Sequence, residues 1–180
     1  STGVVILRNS IPTILYDGTS DYLTCANTPF GQVSNSFFAM SSSRVTSTTG
    51  VVLSLSNTTA QSLRIYQDTT ANKYNLLITT TTPTLYRADM STTRATAQVL
   101  TLLSSFVDAS KGMSAFDNGA TGTTNTFTGT WTNDSIEMGR QGGGAPYFDG
   151  ALSELIGFAT DEISNRTGIE TNINDRYSIY

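Results

Sequence analysis

The sequence predicts an all-β protein: a two-sheet antiparallel jelly-roll sandwich with one C-terminal capping helix. Three observations lead there. Ser and Thr make up roughly three residues in ten, well above ordinary usage, and the branched Cβ of Thr suits a pleated strand. Short apolar runs, several with period-two alternation, recur along the whole chain. Turn residues punctuate them at roughly 8–15-residue spacing: Asp17-Gly18, Asn118-Gly119, Gly142-Gly143-Gly144 and Asp149-Gly150. A glycosylated, disordered stalk would also be rich in Ser and Thr. Only four prolines and the continuous supply of apolar residues favour the sheet.

The expected strands follow in order. GVVIL (3–7) and TILY (13–16) come first, then DYLTC (21–25) beyond the first Asp-Gly. SFFAMSSS (36–43), GVVLSLS (50–56), SLRIYQ (62–67) and YNLLITT (74–80) form the middle. TLYRA (84–88), TAQVLTLLSSFV (96–107), MSAFDNG (113–119), DSIEMG (134–139) and GALSELIGFAT (150–160) complete the series. The low-complexity segment 118–134 reads as a long loop or a ragged strand, with Phe127, Gly129 and Trp131 on one face if extended.

The tail 161–180 reads differently. Ile169, Ile173 and Tyr177 fall at i, i+4 and i+8, one apolar stripe of a helix over about 164–177. Ser164 is the expected N-cap, with Asp161 and Glu162 near the positive end of the dipole. Arg166 and Glu170 are expected to pair on the solvent side. A helix that ends an all-β chain ordinarily plugs an open end of the sandwich.

Length and composition bound the function. The 180 residues suit one domain, 1–180. The formal charge is −4 and Lys occurs twice, so no basic cluster exists to bind nucleic acid. No apolar run approaches the roughly 20 residues that span a bilayer as a helix, so membrane insertion is not expected. Cys25 is the only cysteine, which removes an internal disulfide. The chain has no His, which removes His-based triads and His metal sites.

The residues that remain for chemistry are few. A glycosidase needs two carboxyls about 5 Å or about 6.5–9.5 Å apart. The strand ALSELIGFAT holds only Glu154, expected to share a face with Leu152, Ile156 and Phe158 as a buried, satisfied acceptor. Asp117, Asn118, Asn133 and Asp134 bracket a loop that could gather oxygens for Ca²⁺, as could Asp17 and Asp21. Turn formation explains the same residues without a metal, so no cofactor is required. Trp131, Tyr147 and Asn133 are the candidates for a glycan site, where an aromatic platform is joined by amides and hydroxyls. For Trp131 the competing expectation is a core position against Phe127.

Both ends of the chain resemble a known family. PTILYDGTSDYLTC, and SIEMGRQGGG followed by YFDGALSELIGFATDEISNRTGIETNINDRYSIY, are similar to the opening and closing motifs of concanavalin-A-like lectin/glucanase, or laminin-G-like, domains. The tail N-R-x-x-I-E-x-N-I-N-x-x-Y-x-I-Y resembles domains near the C-terminus of bacteriophage structural proteins. A more distant similarity is to the catalytic jelly roll of alpha-L-arabinofuranosidase B enzymes, but their acidic loop residue is missing from GRQGGGAP. The resemblance implies a non-enzymatic module of the virion surface: a fibre, spike or capsid-decoration domain. Its implied partners are other virion subunits, further copies of itself and a cell-surface glycan. The alternatives are a secreted, extracellular bacterial carbohydrate-binding module and a glycoside hydrolase. The two Asp-Gly turns, in YDGTSDYL and YFDGALSEL, are expected to feed strands that lie in the same region of the fold.

Overall fold

The computed structural model describes residues 4–8, 11–26, 28–43, 49–55, 62–70, 72–82, 84–91, 93, 99–131, 134–142 and 144–179. Its strands are β1 (Val4–Arg8), β2 (Ile11–Asp17), β3 (Leu23–Ala26), β4 (Asn35–Ser43), β5 (Gly50–Ser54), β6 (Ser62–Asp68), β7 (Lys73–Thr79) and β8 (Leu85–Asp89). They continue with β9 (Thr101–Val107), β10 (Gly112–Asp117), β11 (Ala120–Thr126), β12 (Ser135–Met138), β13 (Arg140–Gln141), β14 (Gly144–Tyr147) and β15 (Asp149–Phe158). One helix, α1 (Arg166–Tyr177), follows a short 3₁₀ turn at Ile163–Asn165.

The strands form two antiparallel sheets. One has the order β1-β2-β15-β4-β9-β10-β11 and the other β3-β12-β5-β6-β7-β8. β13 and β14 make a separate hairpin. The facing sides of the sheets enclose the core, where Phe37, Ala39, Leu53, Ile65, Leu76, Leu103 and Phe148 pack together. The jelly-roll sandwich expected from the alternating runs is therefore the observed architecture. Of the two readings of 118–134, the ragged strand holds for its first part, and one other element went unread in the sequence. β11 is a hydroxyl-rich edge strand, mostly exposed, with no apolar alternation to mark it. The Gly run, read as a loop, turns back on itself as the β13–β14 hairpin.

The two Asp-Gly stretches come together, but not as two turns feeding neighbouring strands: Asp149-Gly150 opens β15 itself, and β3, the strand after Asp17-Gly18, lies in the other sheet. β2 pairs with β15, setting Asp17 opposite Asp149 and Tyr16 opposite Gly150. Gly18 adopts φ +77°, and its N–H donates to Phe148 O at 3.1 Å. Gly150 is needed for another reason. A Cβ there would lie 2.4 Å from Ser42 O and 2.5 Å from the Phe148 ring.

β4 is buried along its whole length because both its faces are covered. Phe37 and Ala39 point between the sheets. Phe38 and Met40 point the other way, into a second cluster with Leu102, Phe106, Phe116, Ile173 and Tyr177. The helix therefore lies on the outer face of the seven-stranded sheet; it does not plug an end of the sandwich. The stripe Ile169, Ile173 and Tyr177 makes that contact, as its spacing required.

Two details of the helix differ from expectation. Ser164 sits inside the 3₁₀ turn, and Asn165 precedes the helix without a side-chain cap bond. The Arg166–Glu170 pair forms, but against the sheet: Glu170 is buried and accepts Ser104 Oγ–H at 2.7 Å. Arg166 lies 4.2 Å over the Phe116 ring. The stem of Arg166 and the buried sheet hydroxyl draw the pair inward, since an isolated buried carboxylate is costly.

Gly150→Ala is expected to lower the unfolding free energy by about 1–3 kcal/mol through overpacking. Gly144→Ala, with nothing within 4 Å of the new Cβ, should stay within about 0.5 kcal/mol of the wild type. Urea denaturation of both variants checks the contrast.

Candidate functional site

The Asp17-Gly18 turn and the β13–β14 hairpin stand side by side at one rim of the sandwich. Asp17 builds the first wall. Its Oδ1 accepts the backbone N–H groups of Ser20 (2.8 Å), Thr19 (2.9 Å) and Asp21 (3.0 Å). Its Oδ2 accepts the hydroxyls of Thr19 and Ser20. These donors, the N–H of Ser20 and of Thr19 foremost, hold the Asp17 carboxyl far below the usual carboxylate range.

Gly139 and Phe148 tie the hairpin down. Gly139 N–H donates to Val52 O at 3.2 Å, and Phe148 N–H donates to Gly139 O at 2.7 Å. Gly139 has φ +88°, and a Cβ there would fall 2.4 Å from the Tyr16 ring. Phe148 is fully buried, so strand alternation sends Tyr147 to the opposite side. Between the two walls lies an open cleft of about 560 Å³, lined by Gly18, Thr19, Thr49, Thr69, Pro146 and Tyr147. The Ala145–Pro146 peptide is cis.

An ion pair behind the cleft holds its aromatic wall. Glu137, 2 % exposed on β12, accepts both Nε–H and Nη2–H of Arg140, at 2.9 and 2.8 Å. The Glu137 hydrogen bond raises the Arg140 guanidinium above its ordinary value. Arg140 also stacks 3.4 Å over the Tyr22 ring and hydrogen-bonds the side chain of Tyr147. Sequence reading missed this group. Its only signal was the i, i+3 spacing of Glu137 and Arg140, which has no meaning outside a helix until the turn at Gly139 is known.

The sequence-derived candidates scatter. Tyr147 lines the cleft. Trp131 is 2 % exposed in the core cluster with Phe127, so its ring has no face open to a sugar. Its backbone is locked instead by Gln32, whose Oε1 accepts Trp131 N–H at 2.8 Å. Asn133 lies outside the described residues. Asp117 is buried and accepts Ser91 N–H at 2.7 Å, and Asn118 Oδ1 accepts Leu102 N–H at 2.9 Å. Asp134 immediately precedes β12 of the other sheet, whereas Asp117 ends β10 and Asn118 follows it in the β10–β11 turn. Among the described residues no group of three or more His, Cys, Asp or Glu side chains converges. The three Ca²⁺ candidates are thus turn and strand residues with separate bonding tasks.

Glu154 is corrected by a bulge. The β15–β4 register shifts between Leu152 and Glu154. Leu152 and Leu155 therefore face the core, while Ile156 and Phe158 join the outer cluster. Glu154 shares the outer face, not that of Leu152, and accepts Arg176 Nη1–H from the helix at 3.3 Å. No carboxylate is among the described residues that line the cleft.

A scan of protein-family profiles and a search of curated proteins match nothing to this sequence. Solved structures do match. The F1240A mutant of HCR/D superposes with a TM-score of 0.69 at 10% identity, over 94% of this chain and 44% of that one. The binding domain of Paraclostridial Mosquitocidal Protein 1 gives 0.69 at 11% identity, over 98% of this chain and 47% of that one. The native heptameric SAP-like pentraxin from Limulus polyphemus gives 0.62 at 14% identity, covering 86% and 78%. The chain thus spans a little under half of the first two proteins. At these identities the likeness is one of fold alone, a jelly-roll sandwich.

Because the folded Asp17 pKa is depressed, its stabilising contribution is complete above the unfolded carboxylate value of about 3.9. It is lost as pH falls below that toward the folded value. Asp17→Ala should therefore lower stability at pH 7 and flatten the acid limb below about pH 4. Thermal unfolding of both proteins from pH 7 to pH 2 reads this out.

Proposed function

We propose that this chain is a non-enzymatic binding module of a bacteriophage virion surface, in which the Tyr147 cleft holds a cell-surface glycan. The observation that carries the reading is the cleft itself. Three threonines supply hydroxyls, Tyr147 and Pro146 supply an apolar wall, and the Glu137–Arg140 pair fixes that wall in place. A sugar needs that combination of ring platform and polar edge. Catalysis of glycoside hydrolysis needs two acids, and the cleft's described lining supplies none.

The virion setting is supported by the resemblance of the tail, N-R-x-x-I-E-x-N-I-N-x-x-Y-x-I-Y, to domains near the C-terminus of bacteriophage structural proteins. Contacts with neighbouring subunits or further copies are supported by β1. This edge strand exposes Val5 at 66 % and Leu7 at 73 %. An edge strand that exposes apolar side chains is a pairing surface. Several weak sugar sites on one oligomer then act together.

On a glycan array, Tyr147→Ala is expected to lower the signal about tenfold. Trp131→Phe should leave it unchanged, because that ring is inside the core. No signal for the wild type on any glycan would refute the binding role. Antibody labelling of intact particles places the domain, and exclusive recovery from the culture medium would refute the virion role. Leu7→Glu should reduce the mass seen by light scattering if β1 joins copies.

A further inference from the structure

The two sides of the sandwich are finished differently. At one, β8 and β11 are stitched together: Asp89 N–H donates to Thr123 Oγ1 at 2.7 Å, and Asn125 Nδ2–H donates to Arg87 O at 3.0 Å. At the other, the sheets end in β1 and β3, and an apolar space opens between them. Its walls are set by register. In the six-stranded sheet Cys25 on β3 lies opposite Ile136 on β12, and Met138 lies opposite Leu53 on β5. In the seven-stranded sheet Gly157 on β15 lies opposite Phe37 on β4, with Leu155 two residues before it. These residues, with Phe30 from the loop before β4, enclose a cavity of about 260 Å³.

The cavity has a floor, an end wall and a mouth. Phe37 and Leu53 form the floor, 2 % and 1 % exposed. Phe30, Ile136 and Met138 are half-buried, and Cys25 is exposed at the mouth, so solvent reaches the space directly. Phe30 is the end wall. Its ring meets Phe37 edge-on at 4.8 Å, and a Cβ at Gly157 would fall 2.5 Å from it. Met138 and Leu155 also line a second cavity of about 270 Å³ beside β1 and β2, so the two spaces adjoin there. Among the described residues that line the first cavity, none has a charged or amide side chain. The Cys25 thiol donates to its neighbour Ala26 O at 3.6 Å. Water needs two to four polar partners, which these side chains do not supply.

We propose that this space is a second binding site, which takes the alkyl chain of an amphiphile. The chain enters past Cys25, runs over Phe37 and Leu53 to Met138 and Leu155, and leaves its head group in water. Its burial releases apolar surface on both partners. An inserted peptide segment would bring backbone N–H and C=O groups against side chains that cannot bond them, which is costly. An alkyl chain carries no such groups. Two adjoining spaces suit an unbranched chain better than one compact ring. None of the residues that line the first cavity lines the Tyr147 cleft, so the two sites stand or fall separately.

The test uses the chain's own reporters. The protein has four methionines and one cysteine. Met138 lines the space, whereas Met40 lies in the outer cluster and Met90 and Met113 lie in the core. Carbon-labelled methionine methyls are followed by NMR while hexanol, octanol or hexanediol is added, and the Met138 signal is assigned by its loss in Met138→Leu. Hexanol and octanol should shift Met138 saturably, with affinity rising about fourfold per added CH₂. Hexanediol should bind at least about tenfold more weakly than hexanol, because its second hydroxyl would be buried unbonded. Octanol should also protect Cys25 from alkylation, and Cys25→Trp, which fills the mouth, should abolish the Met138 shift. Phosphatidylcholine vesicles separate the two sources of a chain. Co-flotation of the protein assigns the chain to a bilayer, and an octanol shift without co-flotation assigns it to a free amphiphile. Three results overturn the proposal: no Met138 shift with octanol; equal shifts of the Met40, Met90 and Met113 methyls, which mean that the alcohol loosens the whole core; or a Met138 signal that moves with protein concentration alone, which means that a second copy fills the space. The comparison of the three alcohols needs no variant beyond the assignment, so it decides the matter even if Cys25→Trp impairs folding.

Discussion

The β2–β15 pairing is the contact on which the rest of the molecule depends. It joins a strand from the start of the chain to one from its end, so sheet closure is a long-range event. Close backbone approach makes it work. Gly150 passes the Phe148 ring and Ser42 O where no Cβ fits, and Gly18 turns beside Asp149 in a left-handed conformation. Because the pairing ends at Asp17 and Asp149, two turns emerge together at one rim. The walls of the cleft are the consequence of that register.

Layering decides the next level. The seven-stranded sheet is covered on both faces, by the other sheet and by the helix, which is why β4 is buried from end to end. The bulge at Ser153 lets β15 serve both layers: Leu152 and Leu155 pack inward, and Ile156 and Phe158 meet the outer cluster. The same bulge turns Glu154 toward Arg176, so this acid ties helix to sheet. The six-stranded sheet uses its outer face differently. Its charged side chains lie in rows set by the register, where Arg87 pairs with Asp68 and Asp89.

Much of the fold was legible because strand alternation and helix spacing are local signals. The runs at 36–43, 62–67 and 74–80 became β4, β6 and β7 with small shifts at their ends. The Ile169, Ile173 and Tyr177 stripe located the helix and its buried side. The site was less legible. Trp131 looked like a platform because Thr, Gly and Asn surround it in the chain, yet those neighbours in sequence do not surround it in space. β11 carried no apolar alternation because its side chains are mostly solvated, and the β13–β14 hairpin was too short to show a period.

By itself, then, the sequence determined the fold class, the order of most strands and the helix. Each of these follows from periodicity or turn chemistry, which act over a few residues. Only the tertiary structure decided which polar residues keep company: Glu137 with Arg140, Tyr22 and Tyr147. It also decided that Trp131 is core and that the helix covers a sheet face. The physical reason is common to all of them. Side chains far apart in the chain are brought together by register and layer packing, and a one-residue shift, such as the bulge in β15, exchanges the faces.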